Sequence, residues 1–211
     1  MAWISDDRYL TQSEMENNAN IIINYYRSVG LDERTIAAIL GNMQAESTLS
    51  PVLTERGGGG GYGLVQWTPQ SVLIDHCQTL GLSPYTSGDV QIQVIIQEII
   101  GSQSVREWYT TQGFISNYYN SGATSDMIGI SGNDFLHNTM GWNPDKLAVM
   151  FMAGYERPSY NPLINHYTNR QQYALNWFTY MGGVVPPTPV TNDKNKFNFV
   201  LFNKRRRLIN G

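Results

Sequence analysis

The sequence predicts a mainly α-helical domain with one short hairpin or irregular glycine-rich segment. Two observations carry this prediction. Apolar residues recur at intervals of three and four in most segments, and these segments open on capping signals and close on glycine. Thr11-Gln12-Ser13-Glu14 is a capping box, opening a helix with Ile22, Tyr25, Tyr26 and Val29, which Gly30 stops. Asp32-Glu33 begin the second helix at the end where its dipole favours negative charge. There Ile36, Ile39, Leu40 and Met43 make one apolar face, and Pro51 bounds its end. Gly57 to Gly61 follow as an irregular or hairpin-like stretch, and Thr68-Pro69 start a third helix near Val72, Leu73 and Cys77.

Residues 90–100, VQIQVIIQEII, satisfy two periods. Val90, Ile92, Val94 and Ile96 alternate as in a strand, whereas Ile92, Ile95, Ile96, Ile99 and Ile100 fit a helix, which the length favours. Residues 113–143, rich in Gly, Ser and Asn, read as a long loop lining a groove. Asn143-Pro144 start a helix, LAVMFMAGY, that is apolar nearly all round and therefore central. A last amphipathic helix carries Tyr173, Ala174, Trp177, Phe178 and Met181 and closes at Gly182-Gly183. The domain thus spans 1–182, a stiff Pro-rich linker 183–193, and a basic, aromatic tail 194–211.

Composition narrows the class. The chain has 211 residues, of which 41% are hydrophobic and 15% charged, so it can bury a sizeable core and is not a disordered polymer. Its 12% aromatic share serves equally as core or as stacking platforms. The lone Cys77 excludes an internal disulfide. The first residues lack the basic and apolar regions of a secretory signal, and no stretch approaches the ~20 apolar residues of a membrane span. The expectation is synthesis in a cytoplasm without a signal peptide. Net charge is −3, but residues 1–182 hold 16 acids and 8 bases, whereas residues 183–211 hold 6 bases and only Asp193. An acidic body and a basic tail are different devices.

One acid breaks the pattern. Glu46 lies three residues after Met43 and seven after Ile39, on the apolar face and at the C-terminal end of its helix. Burial and the dipole there both favour a protonated carboxyl, which glycoside cleavage needs for its leaving oxygen. A partly exposed glutamate in a salt bridge is the competing reading. The glycines allow backbone to approach a ligand closely, and Gln66 offers both donor and acceptor to sugar hydroxyls or an acetamido group. Gly58, Gly60 and Gly63 spell G-x-G-x-x-G, but no preceding strand and no following Lys-Ser/Thr support a nucleotide site. His76, His137 and His166 have no metal-ligand spacing. No metal and no cofactor are expected.

Glu46-Ser47, Gly63-Leu64-Val65-Gln66 and Ala153-Gly154-Tyr155, in that order, resemble the three motifs of the goose-type and lytic-transglycosylase branch of the lysozyme superfamily. The fuller strings GNMQAEST, GYGLVQWTP and AGYERP resemble the phage tail lysozyme family, found at the tail tip of short-tailed phages of Gram-positive bacteria. The resemblance covers residues 10–182. It implies a lysozyme-like helical fold with the glycine segment beside the active site, peptidoglycan as substrate, and Glu46 as general acid. Ser47, Gln66 and Tyr155 become groups that orient substrate or acid. Trp67 is a neighbour that reads equally as core, and Glu156-Arg157 read as an internal ion pair. For a second carboxylate the candidates are Glu55, in the hairpin where some lysozymes keep theirs, and the poorer Asp75; many relatives work with one Glu.

The tail, KNKFNFVLFNKRRRLING, alternates Phe197, Phe199 and Leu201 with other residues like a strand before the Lys204–Arg207 run. Docking to phage tail proteins is its favoured use, against adhesion to anionic wall polymers; it lacks a folded surface for reading nucleic acid. The leading function is therefore a virion glycosidase. A lytic transglycosylase with the same acid, and a non-catalytic wall-binding tail protein, are the alternatives.

Overall fold

The computed structural model describes residues 1–101, 105–159, 161 and 166–184. Most of the expected linker and the whole tail, residues 185–211, lie outside the described residues. The first helix, α1, runs Gln12–Ser28, and its box forms through Glu14 Oε2, which accepts from Thr11 N at 2.8 Å. Asp32 caps α2, Glu33–Ser47, by accepting from Arg34 N at 2.8 Å. The third helix, α3, spans Gln70–Leu80, and α4 spans Gly88–Ile100. Residues 90–100 are thus helical; Ile92, Ile95 and Ile99 all point into the core.

The expected loop at 113–143 is a correction. It holds the short helices α5, Gln112–Ile115, and α6, Gly132–His137, with 3-10 turns at Ser116–Ser121 and Ser125–Met127. Buried Ile115, Tyr118, Met127 and Phe135 pin these turns down. Elements of one or two turns are too short to show a period, and their polar spacers concealed the anchors. The groove described below is walled by other residues.

Helix α7, Pro144–Phe151, continues into a π-helical turn, Met152–Glu156, and α8 runs Tyr167–Tyr180. As expected, α7 is central: Leu147 to Ala153 are essentially inaccessible. Helix α2 is more central than one apolar face implies, because every residue from Thr35 to Met43 is buried. It packs mainly against α8 and α7. Gly41 makes the α8 contact possible, since a Cβ there would lie 2.6 Å from Ala174 N and 2.7 Å from Arg170 O. That close approach delivers Arg170 to the end of α2.

The glycine segment is a rudimentary hairpin. Isolated antiparallel bridges join Thr54 to Tyr62 and Tyr62 to Trp67, and no longer strand occurs among the described residues. Glu55 N donates to Gly61 O at 2.8 Å, which closes the glycine loop over the Glu55 side chain.

Candidate active site

Glu46 stands in the last turn of α2 on the wall of a groove of about 690 Å³. Glu55, Gln66, Trp67 and Tyr155 line the same groove, so the chain's three motif segments meet there. The Glu46 side chain is 21% exposed, enough for its carboxyl to meet a ligand. It is not alone. Arg170 donates to Glu46 Oε1 with one arm of its guanidinium, to Glu156 with the other, and to Asn42 Oδ1 at 2.9 Å. The sequence reading anticipated neither this cation nor its second acid.

Glu156 is the correction to the expected Glu156-Arg157 ion pair. The two side chains diverge at the end of the π-helical turn, where Arg157 adopts a left-handed backbone, φ 48°. Glu156 pairs with Arg170, whereas Arg157 Nη2 reaches Glu107 Oε2 at 2.5 Å. Glu156 is 3% exposed, and its Oε1 is buried without a hydrogen-bond partner among the described residues. Burial pushes Glu156 up to about 8, against the pull of the Arg170 charge and with help from Glu46.

A second buried acid organises the groove wall. Glu98, on α4, is inaccessible to solvent and accepts three side chains. Trp67 Nε1 donates to it at 2.9 Å, His76 Nδ1 lies at 2.5 Å, and the Tyr155 hydroxyl completes the set. Burial raises the Glu98 carboxyl, and its hydrogen bonds from His76, Tyr155 and Trp67 pull the other way. The bond to Glu98 in turn raises His76 above the ordinary histidine range.

These contacts reassign several expected roles. Ser47 is buried, and its Oγ donates to Met43 O at 3.1 Å and Leu64 O at 2.9 Å. It fastens the acid-bearing turn to the Gly63-Leu64 strip, which suits orientation of the acid and not contact with substrate. Trp67 and Tyr155 show only their flanks to the groove, because their polar atoms are committed to Glu98. Gln66 spends its amide NH₂ on Leu53 O at 2.9 Å and Gly63 O at 3.0 Å, which leaves its carbonyl oxygen for a ligand. Glu55 is exposed and accepts from Gly61 N at 3.0 Å. Asp75 is exposed on α3 and stands outside the groove lining. Cys77 is buried, and burial lifts its thiol to about 11. Among the described residues no group of three or more His, Cys, Asp or Glu is placed to hold a metal ion.

Glu98 and Arg170 were both accessible to sequence reading. Glu98 follows Val94 and Ile95 by four and three residues, so it shares their apolar face, as Glu46 shares that of Met43. Arg170 precedes Ala174 and Trp177 by four and seven. A charge on an apolar stripe is the common signal.

A bundle of helices around a central apolar pair, with a glutamate at the end of one core helix facing a groove under a glycine hairpin, defines a lysozyme-like helical domain. Residues 17–181 match the phage tail lysozyme family, and the chain belongs to that family. It is also similar to Morphogenesis protein 1 of Bacillus phage B103, with 30% identity over 183 residues. That alignment takes in 85% of this chain and 43% of the relative, so the chain spans less than half of the relative's length. No described helix is long and apolar enough to cross a membrane.

Proposed function

We propose that this chain is a lysozyme-type glycoside hydrolase of the phage tail, which cleaves the β-1,4 bond between N-acetylmuramic acid and N-acetylglucosamine as the phage penetrates the cell wall. The observation that carries the reading is the partly exposed Glu46 carboxyl in a long groove shared with Gln66 and Glu55. Glu46 donates a proton to the leaving glycosidic oxygen. Arg170 fixes its orientation by holding Oε1, and is itself held on its other arm by Glu156. The Gln66 carbonyl oxygen accepts from a sugar hydroxyl or acetamido N–H, and Glu55 is the candidate second carboxylate across the hairpin.

The test is Glu46→Gln measured by clearing of purified cell wall. The amide has no acidic proton, so the rate should fall by ~10²–10⁴-fold with the fold intact. A folded variant that retains near-normal clearing removes Glu46 from the mechanism. Glu55→Gln decides the partner: a comparable fall establishes two carboxylates, and a mild effect leaves one acid. Product analysis completes the set, since an anhydro-muramoyl product would make the chain a lytic transglycosylase working with the same acid.

A further inference from the structure

We infer that the segment ahead of α1 presents Tyr9 to the groove and that Tyr9 is a stacking platform for a sugar ring of the bound glycan. The inference rests on the reading of the groove as a glycan site. It comes from residues that the family match, beginning at residue 17, leaves out.

The segment is an anchored strap. Trp3 Nε1 donates to Asp89 Oδ1 at 2.9 Å, and Asn18 brackets Ile4 by accepting from its N–H and donating to its carbonyl, both at 2.9 Å. Nearer the groove, Ser50 Oγ donates to Asp6 O at 2.6 Å, and Asp7 Oδ1 accepts from Thr54 N at 2.8 Å. Leu10 N donates to Thr48 Oγ1 at 2.8 Å. Thr48 lies two residues beyond Glu46, and Thr54 directly precedes Glu55. The strap is therefore tied to both carboxylate-bearing segments, one tether on either side of Tyr9.

Between those tethers the chain turns Leu10 inward and Tyr9 outward. Leu10 is buried, whereas Tyr9 is 63% exposed and lines the groove together with Glu46, Glu55 and Gln66. A pyranose ring has an apolar C–H face and a rim of hydroxyls. A tyrosine has an apolar face and one phenol, so it can cover the first and bond the second. Its backbone is already ordered by the tethers, which leaves little conformational entropy to lose on binding. Tyr119 and Tyr180, each 44% exposed, lie outside the groove lining and serve as controls.

The test is binding of the full chain to purified insoluble peptidoglycan, measured by co-sedimentation in a Glu46→Gln background that does not depend on cleavage. Tyr9→Ala should weaken binding by about three- to tenfold, and Tyr9→Phe and Tyr9→Trp should stay within about twofold. Tyr180→Ala should change nothing. With Glu46 intact, Tyr9→Ala should raise KM and leave kcat. The inference fails if Tyr9→Ala binds like its parent, if Tyr180→Ala weakens binding equally, or if the parent does not bind peptidoglycan. Its failure is distinct from that of the glycosidase reading: normal clearing with unaltered Tyr9→Ala binding removes only the platform. Weakened binding in a chain that clears no wall keeps the platform and removes the glycosidase.

Discussion

Glu98 and Glu46 are the same residue in nearly the same local setting. Each sits in the last turn of an apolar helix, on the apolar face, where the dipole opposes its charge. Their surroundings make them opposites. Glu98 is sealed in the core and accepts from Trp67, His76 and Tyr155, so it holds three elements together. Glu46 opens on the groove and is held on one oxygen by Arg170. An acid on an apolar stripe thus marks an important carboxylate without telling whether it is a girder or a tool. Solvent access and the number of donors tell that.

The largest effect should come from treating the girder as dispensable. Glu98→Ala leaves the buried Trp67 and Tyr155 donors and the half-buried His76 without their partner and should cost on the order of 3–5 kcal/mol, a sum of lost hydrogen bonds and cavity. Thermal or urea unfolding measures it. Glu46→Gln should cost less, because its side chain is partly exposed and the amide oxygen still accepts from Arg170. If Glu98→Ala proves as stable as Glu46→Gln, the contrast between the two acids collapses.

A pH series sharpens the contrast with a third acid, Glu156. Its folded pKa, about 8, lies above the ordinary 4.5, so the folded protein binds a proton more tightly than the unfolded chain. The stability this contributes is full below pH 4.5 and is lost as the pH rises towards about 8. The raised Glu98 and His76 carry the same sign. Relative to Glu156→Gln, the wild-type chain should therefore lose melting temperature between about pH 4.5 and pH 8. A wild type that gains on the variant over that interval would show Glu156 ionised and stabilised by Arg170 throughout.

The smallest effect concerns the hairpin. A Cβ at Gly59 would meet Glu55 Oε2 at 2.3 Å, whereas one at Gly57 meets its nearest neighbour, Glu55 Oε1, at 3.7 Å. Gly59→Ala should push the Glu55 carboxylate off Gly61 N at a stability cost within about 0.5 kcal/mol. Wall clearing should fall severalfold for Gly59→Ala and hold for Gly57→Ala. Equal activity of the two would mean that the position of Glu55 does not matter.

Much of the fold was legible because its signals are local. The Thr11–Glu14 box, the Asp32 cap, Pro144 at a helix start and the length of the apolar run at 90–100 each act within a few residues, and each element formed where they placed it. The region 113–143 was illegible because one-turn helices have no period to show. The meeting of Glu46, Gln66 and Tyr155 at one groove was implied by the order of three motifs, but their bonds were not. Ser47 turned to the backbone and Tyr155 to Glu98.

By itself the sequence determined where the longer helices lie, which of their faces are apolar, and that an acid closes the second helix. Tertiary structure alone decided what each acid meets. Arg170 reaches Glu46 across 124 residues, and Glu98 joins Trp67 across 31 and Tyr155 across 57. Capping and periodicity act through neighbours along the chain, so spacing records them. The pairing and burial of charge depend on which helices pack, here on Gly41 letting α8 close against α2, and no spacing along the chain encodes that contact.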